Sequence, residues 1–354
     1  MIQRIGIIGC GKMGLDIFHF LTKFDFGITL IGKSKEKLSE VENSLNRKLK
    51  RSFSLGLIDQ ETLSRKLEVI KLSSDIYHLS GCDLIIESIT ENQSLKTSLF
   101  QTLDNIVPNS GILSTNTSSI PLESLVPSAQ RKGSFIGLHF FYPVALKNLI
   151  EINAPDELTG GIRISITEFL HAIGKVPVIL SRKNHFLVNR LFLRFQAGAF
   201  NICREENIPF RVMDDLISMN FFPMTVFRFF DQVGINTIHA SVQNYTIGMG
   251  DHEFYEPLLT ELKKLIETDN RDVGSGKGFY DSIENKITGS SDDLTAERTK
   301  AILQKLSACL FDPMADALRQ KHLSPKELDL IFKEYTGSEK GTDELAKHLG
   351  YEGF

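Results

Sequence analysis

The stretch Arg4-Ile5-Gly6-Ile7-Ile8-Gly9-Cys10-Gly11-Lys12-Met13-Gly14 decides the fold of the first half of this chain. Its apolar start, residues 4–9, predicts a buried strand, and the apolar periodicity of Leu15–Phe24 predicts a helix behind the glycines. A strand, a Gly-x-Gly-x-x-Gly loop and a helix in this order form the context of a dinucleotide-binding fingerprint. We therefore expect an α/β domain of the Rossmann type.

The loop residues have separate tasks in such a site. The first glycine permits a tight turn, the second lets a diphosphate approach the backbone, and the third lets the helix pack close to the strand. The helix N-terminus adds N–H donors and a partial positive charge for the phosphates. The candidate residues in this loop are Gly9, Gly11, Lys12, Met13 and Gly14.

The next predicted strand, Ile28–Ile31, leads into Gly32-Lys33-Ser34-Lys35. In an NAD site this strand normally ends in an acidic residue that holds the adenosine ribose hydroxyls. Gly32 supplies no carboxylate, and Lys33 with its neighbours could accept a 2′-phosphate, so both NAD and NADP are candidates. The alternative is that the lysines are only the solvated start of a helix.

Residues 34–80 are rich in helix formers and are interrupted by Gly56-Leu57, which predicts an inserted helical hairpin. Between residues 31 and 71, ten lysines and arginines stand against six acidic residues. Such a cluster is most often a solvated face. Beside a substrate cleft it could also attract phosphates or an acidic carrier protein.

Two further strands are predicted at Asp83–Glu87 and Gly111–Ser114. Glu91 and Lys96 open a helix after the first, and the hydroxyl and amide cluster Thr115–Ser119 follows the second. Because ligands of doubly wound sheets lie beyond the carboxyl ends of the strands, this cluster is expected at the nicotinamide end of the site.

His139 and Glu151 are the candidate acid–base pair. Imidazole is the side chain whose unperturbed pKa lies near neutral pH, and a carboxylate within reach can fix its tautomer. Both residues lie on predicted strands, Ser134–Phe141 and Asn148–Ile152, so their side chains could meet in one crevice. The alternative is a core histidine and an unrelated surface glutamate.

Composition excludes some classes of protein. The chain has 354 residues, 42% of them hydrophobic and 24% charged, with a formal net charge of −4, which predicts two or three domains and no nucleic-acid partner. No apolar run is long enough for a membrane span. The cysteines are far apart and predict reduced thiols in a cytoplasmic protein, with neither disulfides nor a metal site; they are Cys10, Cys82, Cys203 and Cys309.

In these motifs, and in their order and spacing, the chain resembles the 3-hydroxyacyl-CoA dehydrogenases over nearly its whole length. The matching stretches are Gly9–Gly14, Asp83–Lys96, Asn116–Ser119, Gly137–Pro143, Asn148–Glu151, Gly174–Val178, Phe186–Arg190, Pro223-Met224 and Gly276–Tyr280.

The resemblance implies roles for four catalytic positions. His139 would be the general base that takes the proton of the substrate 3-hydroxyl, and Glu151 would orient it. Ser118 would hydrogen-bond the substrate oxygen, and Asn189 would polarise that oxygen. The positions that line the nicotinamide-ribose side in the family match Glu91, Lys96 and Asn116.

The chain departs from the family pattern at several places. Thr115 stands where serine is usual, and Tyr142 replaces the asparagine that follows His-Phe-Phe. Asn184-His185 and Thr225-Val226 replace Pro-Gly and Gly-Pro. Larger side chains near the acyl site indicate a small or polar acyl group, while the four matching catalytic positions argue against an inactive homologue.

From residue 186 the pattern becomes helical, and a second, partial copy of this part is predicted to follow. Ala199–Asp214 resembles Met314–Asp329, with matched residues such as Asp214 and Asp329 standing 115 apart. We predict domains at 1–183, 184–284 and 285–354. Family members with one copy dimerise through it, so residues 294–354 are expected to pack on 184–284 as an internal pseudo-dimer, giving a monomer or weak dimer.

The leading hypothesis is an NAD(P)-dependent enzyme that interconverts 3-hydroxyacyl and 3-oxoacyl thioesters of coenzyme A. Three alternatives stay open. The first is the same chemistry on an acyl carrier protein, the second is a dehydrogenase of free hydroxy or sugar acids, and the third is a non-catalytic nucleotide-binding homologue.

Overall fold

The computed structural model describes residues 2–155, 158–181, 186–246, 249–268, 278–282 and 294–353. The chain forms two compact units, Met1–His185 and Phe186–Phe354. Among the described helices, none is both long and apolar enough to cross a membrane. The expected division of the second unit near residue 284 stays a prediction.

The first unit is built on one eight-stranded sheet with strand order β3-β2-β1-β4-β5-β6-β7-β8. The first six strands are parallel to one another, and β7 and β8 run antiparallel to them. This order of the first six is that of dinucleotide-binding doubly wound sheets. The strands are β1 (Arg4–Ile8), β2 (Gly27–Ile31), β3 (Ile70–Ser73), β4 (Leu84–Glu87), β5 (Ile112–Thr115), β6 (Phe135–Phe140), β7 (Leu149–Ala154) and β8 (Val176–Ser181).

Two apolar clusters cover the faces of this sheet, one including Ile17, Leu30 and Ile152, the other Ile85, Phe100 and Phe135. Central strands buried on both sides need nearly continuous apolar sequence, as Leu84-Ile85-Ile86 has. The helices of this unit are α1 (Lys12–Leu21), α2 (Lys35–Ser54), α3 (Gln60–Val69), α4 (Gln93–Ile106) and α5 (Gly160–Ala172).

The inserted hairpin is confirmed as α2 and α3, with the turn at Leu55–Asp59. Side chains of Ser34 and Asp59 cap the two helices. The predicted helical segment extended too far, however, because Ile70–Ser73 forms β3. A strand of four residues at the sheet edge leaves too short a pattern to separate it from the end of a helix.

The second unit is all-α in its described part. Its longest helices pack on each other, and a Cβ at Gly198 would lie 2.5 Å from Cys309 Sγ, so glycine permits their close approach. The helices are α6 (Leu187–Glu206), α7 (Phe210–Asn220), α8 (Phe227–Val233), α9 (Ile235–Thr246), α10 (Glu256–Thr268), α11 (Phe279–Ser282), α12 (Ala296–Arg319), α13 (Pro325–Thr336) and α14 (Thr342–His348).

Helix starts recur at the spacing predicted for the repeat. α7 begins at 210 and α13 at 325, while α8 begins at 227 and α14 at 342, so both pairs are 115 apart. Asp214 accepts hydrogen bonds from Val226 N and Phe227 N at the start of α8, and Asp329 accepts one from Thr342 N at the start of α14. These matching caps support the predicted repeat.

Candidate active site

The glycine loop forms an open cradle at the start of α1. Gly9 has φ +119°, and a Cβ there would overlap the Ser88 carbonyl oxygen, while a Cβ at Gly14 would overlap that of Gly9. At Gly11, the N-cap of α1, no atom outside the adjoining residues lies within 4 Å of where a Cβ would stand. Open space above backbone N–H donors at a helix start fits a diphosphate.

Gly32 has a packing reason to be glycine. A Cβ there would overlap Cys10 Sγ and lie 3.1 Å from Leu38 Cδ2. Behind it, Ser34 uses its side chain to cap α2, accepting from Lys37 N at 3.1 Å. Lys33 is exposed and has no ion-pair partner within the described ranges. The Cys10 thiol therefore occupies the space that a side chain at position 32 would need.

An ion cluster around the buried Glu87 and Lys96 joins the ends of β4 and β5. Lys96 Nζ lies 2.6 Å from Glu87 Oε1 and 3.3 Å from Glu91 Oε2. Glu87 is fully buried and also accepts from Thr115 Oγ1 at 2.6 Å, while Glu91 accepts from Ser119 Oγ at 2.8 Å. A lysine between two carboxylates fixes the orientation of Glu91.

Sequence reasoning did not single out Glu87. Its signal was a carboxylate at the end of the apolar strand Leu-Ile-Ile-Glu. The Thr115 hydroxyl donates a hydrogen bond to this carboxylate, and a serine hydroxyl could donate the same bond. The departure from the family at Thr115 therefore preserves the hydrogen-bonding group.

Asn116 connects the loop after β5 to β6. Its Oδ1 accepts from Phe140 N at 2.8 Å, and its own N–H donates to Glu87 O at 2.8 Å. Phe140 is the residue after His139, so this contact brings the Asn116–Ser119 loop next to the histidine. Within the described residues, the half-buried Ser118 hydroxyl makes no hydrogen bond.

His139 and Glu151 are direct partners across the antiparallel pair β6–β7. Such neighbours project from the same face, and His139 Nδ1 lies 3.5 Å from Glu151 Oε2. Glu151 is fully buried, His139 is 6% exposed, and the Phe141 ring packs 4.4 Å from the imidazole, centroid to centroid. A proton on Nδ1 shared with Glu151 leaves the Nε2 lone pair to accept a proton.

Asn153 adds an unexpected polar group beside this pair. It is fully buried on β7, two residues after Glu151 and opposite Gly137. Neither atom of its side-chain amide has a hydrogen-bond partner among the described residues. A Cβ at Gly137 would lie 3.1 Å from that of Asn153, so glycine leaves room for the amide.

Asn189 belongs to the second unit, near the start of α6, where its Nδ2 donates to Tyr245 Oη at 2.7 Å. Asn184 and His185 lie outside the described residues. At the other departure, Thr225-Val226, Val226 is buried and its N–H donates to Asp214, whose carboxylate caps the start of α8.

The basic segment divides into structural and exposed residues. Lys66 is buried and donates to the carbonyls of Thr22 and Phe24 at 2.9 Å, which ties α3 to the chain after α1. Four cations near the end of α2 are exposed and have no ion pair with any described residue; they are Arg47, Lys48, Lys50 and Arg51. This group is a candidate surface for an anionic carrier.

Comparison with known proteins agrees with the geometry. Residues 4–183 match the family model described as 3-hydroxyacyl-CoA dehydrogenase, NAD binding domain, and residues 186–282 match that of the C-terminal domain. A probable 3-hydroxybutyryl-CoA dehydrogenase of Deinococcus radiodurans is 29% identical over 78% of this chain and 99% of its own.

Two solved structures are also similar. FadB2 of Mycobacterium tuberculosis superposes with a TM-score of 0.69 at 26% identity, over 79% of this chain and 98% of its own. A 3-hydroxybutyryl-CoA dehydrogenase of Escherichia coli covers 100% of this chain and 96% of its own with a TM-score of 0.78 at 19% identity, a likeness of fold. The chain therefore belongs to the 3-hydroxyacyl-CoA dehydrogenase family.

Proposed function

We propose that this chain is an NAD(P)-dependent dehydrogenase that interconverts 3-hydroxyacyl and 3-oxoacyl thioesters, with His139 as the general base. The observation that carries the proposal is the buried His139–Glu151 pair, 3.5 Å apart on neighbouring strands. A histidine with one nitrogen directed at a carboxylate is suited to exchange a single proton through its other nitrogen. Family membership supports the proposed substrate class.

In the oxidation direction, His139 Nε2 takes the proton of the 3-hydroxyl as hydride leaves C3. A bound nicotinamide dinucleotide would supply the hydride acceptor. Glu151 accepts a hydrogen bond from Nδ1–H, so it fixes the tautomer and balances the charge of the imidazolium. The Ser118 hydroxyl donates to the substrate oxygen, and Asn189 polarises the same oxygen. In the reduction direction, His139 returns the proton.

The cofactor is assigned to the cradle at Gly9–Gly14, with its nicotinamide ribose beside Glu91, Lys96 and Asn116. The open space above Gly11 supports the first assignment. The ion pair that fixes Glu91 supports the second, because a preorganised carboxylate binds ribose hydroxyls at less entropic cost.

NAD and NADP remain the two candidates for the dinucleotide. The family description names an NAD-binding domain, which favours NAD. Gly32 without a carboxylate, followed by the exposed Lys33, favours acceptance of a 2′-phosphate. The relative kcat/KM for the two dinucleotides decides between them.

The acyl carrier is proposed to be coenzyme A, with an acyl carrier protein as the second candidate. The exposed cations near the end of α2, Arg47–Arg51, suit either anionic carrier. Replacing these four with glutamine should raise the KM for the true carrier's thioester, and added salt should do the same to the wild type.

A substrate panel tests the proposal. The protein is incubated with acetoacetyl-CoA, a carrier-bound 3-oxoacyl thioester and a free sugar acid, each with the matching reduced or oxidised dinucleotide, while absorbance is followed. Turnover of a thioester is expected. Turnover of the free acid alone would establish the alternative dehydrogenase, and dinucleotide binding without turnover would establish a non-catalytic homologue.

A further inference from the structure

The segment after β6 is fastened to α1, which starts in the glycine loop. Val144 N donates to Asp16 Oδ2 at 2.7 Å, and the buried Lys175 donates to the carbonyls of Val144 and of Lys147, the latter at 2.8 Å. These contacts fix the backbone of this segment beside one face of α1.

Tyr142, two residues before Val144, lies over Lys12, one helical turn before Asp16. Lys12 Nζ is 4.2 Å from the centroid of the Tyr142 ring, within the range of a cation–π contact. Lys12 directly follows Gly11, the glycine with open space above it. The ammonium group is therefore held at the N-terminus of α1, beside the cradle.

Neighbouring residues of this segment have different contacts. The ring of Phe141 packs on the imidazole of His139, whereas the ring of Tyr142 packs on Lys12. Tyr142 is 39% exposed, so part of the phenol stays available to solvent. Tyr142 departs from the family pattern, and its place in the sequence, close to His139, links it to the acyl site. In the structure its ring contacts Lys12 of the nucleotide loop.

We propose that Tyr142 positions Lys12 to bind the diphosphate of the dinucleotide, so that this pair sets cofactor affinity. The inference rests on the proposed function. An ammonium has three N–H donors, so it can face an aromatic ring and still donate to phosphate oxygens. Holding the long lysine side chain in place before binding lowers the conformational entropy lost when the diphosphate binds. The helix N-terminus adds attraction of the same sign.

Direct titration of dinucleotide binding tests the pair. Kd values for NADH and NADPH are measured by fluorescence for the wild type, Tyr142→Phe, Tyr142→Leu, Lys12→Met and the Tyr142→Leu/Lys12→Met double variant. Tyr142→Leu should weaken binding about 2- to 5-fold, since it removes a partly exposed cation–π contact. Lys12→Met should weaken it roughly tenfold or more by removing a charged donor to phosphate.

Coupling between the two positions is the decisive readout. The double variant should bind about as well as Lys12→Met alone, and Tyr142→Phe should stay within about twofold of the wild type because it keeps the ring. Leu146→Ala, in the same segment and 77% exposed, serves as the matched control. Thermal melting of each variant verifies that it is folded.

The inference would be overturned by equal Kd values for all variants, or by a Tyr142→Leu effect confined to the KM of the acyl thioester. Fully additive effects would also contradict it, because the ring would then act without the lysine. Failure of the proposed function is distinguishable, since it shows as absent thioester turnover by the wild type in the substrate panel, whereas this inference is decided by the dinucleotide Kd values of the variants.

Discussion

His139 and Glu151 contact each other across two strands, and Glu151 has no exposed surface. Replacing Glu151 with glutamine keeps the shape but removes the charge that stabilises the imidazolium. We expect kcat to fall by roughly 10²–10⁴ while the dinucleotide Kd is unchanged. Steady-state kinetics with acetoacetyl-CoA checks this, and a Glu151→Gln enzyme with wild-type kcat would refute the role of the carboxylate.

Gly32 and Cys10 must be changed together to test the ribose-reading position. A Cβ at 32 overlaps the thiol, so Gly32→Asp alone confounds a clash with a new hydrogen bond. Cys10→Ala/Gly32→Asp should raise the NAD-to-NADP ratio of kcat/KM by roughly tenfold or more, since an aspartate binds ribose hydroxyls and repels a 2′-phosphate. Cys10→Ala is the control, and an unchanged ratio would exclude Gly32 from cofactor selection.

At the level of the strand, we expect Asn153 on β7 to destabilise the fold. Burying an amide without a partner costs about 1–3 kcal/mol, so Asn153→Val should increase the free energy of unfolding by an amount in that range. Ser114→Ala on β5 is the matched control of opposite sign, because that hydroxyl donates to Ile85 O at 2.6 Å. Urea denaturation measures both, and a destabilised Asn153→Val would show that the amide is satisfied in the folded protein.

Helix α1 should give the stability a pH dependence through His19. Burial and the neighbouring Lys48 lower the pKa of His19 below its ordinary value of 6.5, partly opposed by Asp16. The unfolded chain therefore binds a proton near pH 6.5 that the folded chain does not, so stability falls as pH drops below about 6.5. His19→Gln should show a smaller loss between pH 7.5 and 5.5 in urea denaturation. An identical loss would assign the pH dependence to other groups.

At the level of the whole molecule, α12 and α13 cover apolar faces of the preceding helices. Phe192 of α6 stacks on Tyr335 of α13 at 4.4 Å, and Gly198 allows Cys309 to approach. If the second copy replaces a partner subunit, light scattering after gel filtration should give the mass of one chain at micromolar concentration. A tight dimer through this helical face would contradict the pseudo-dimer.

The elements that sequence predicts well are those with a local pattern. The glycine loop of Gly9–Gly14 carries its own turn chemistry, and the strands holding His139 and Glu151 are apolar on both sides of each residue. Their cross-strand register was not predictable, because both strands are buried on both faces and lack the alternation of apolar and polar residues that specifies a register.

What sequence reasoning missed depends on tertiary neighbours. β3 is an edge strand directly behind a helix. Glu87 is important because it pairs with Lys96, nine residues later in the chain. Tyr142 is important because its ring contacts Lys12 on another element. Asn153 carries no motif, and its burial without a partner follows only from the sheet.

The proposed dehydrogenase reaction depends on proton exchange by His139. The most direct test is the kcat of wild type and His139→Gln for acetoacetyl-CoA reduction, with the dinucleotide Kd of both measured by fluorescence. We predict a loss of roughly 10²–10⁴ in kcat with dinucleotide binding retained. Equal kcat values in the two proteins would contradict the account.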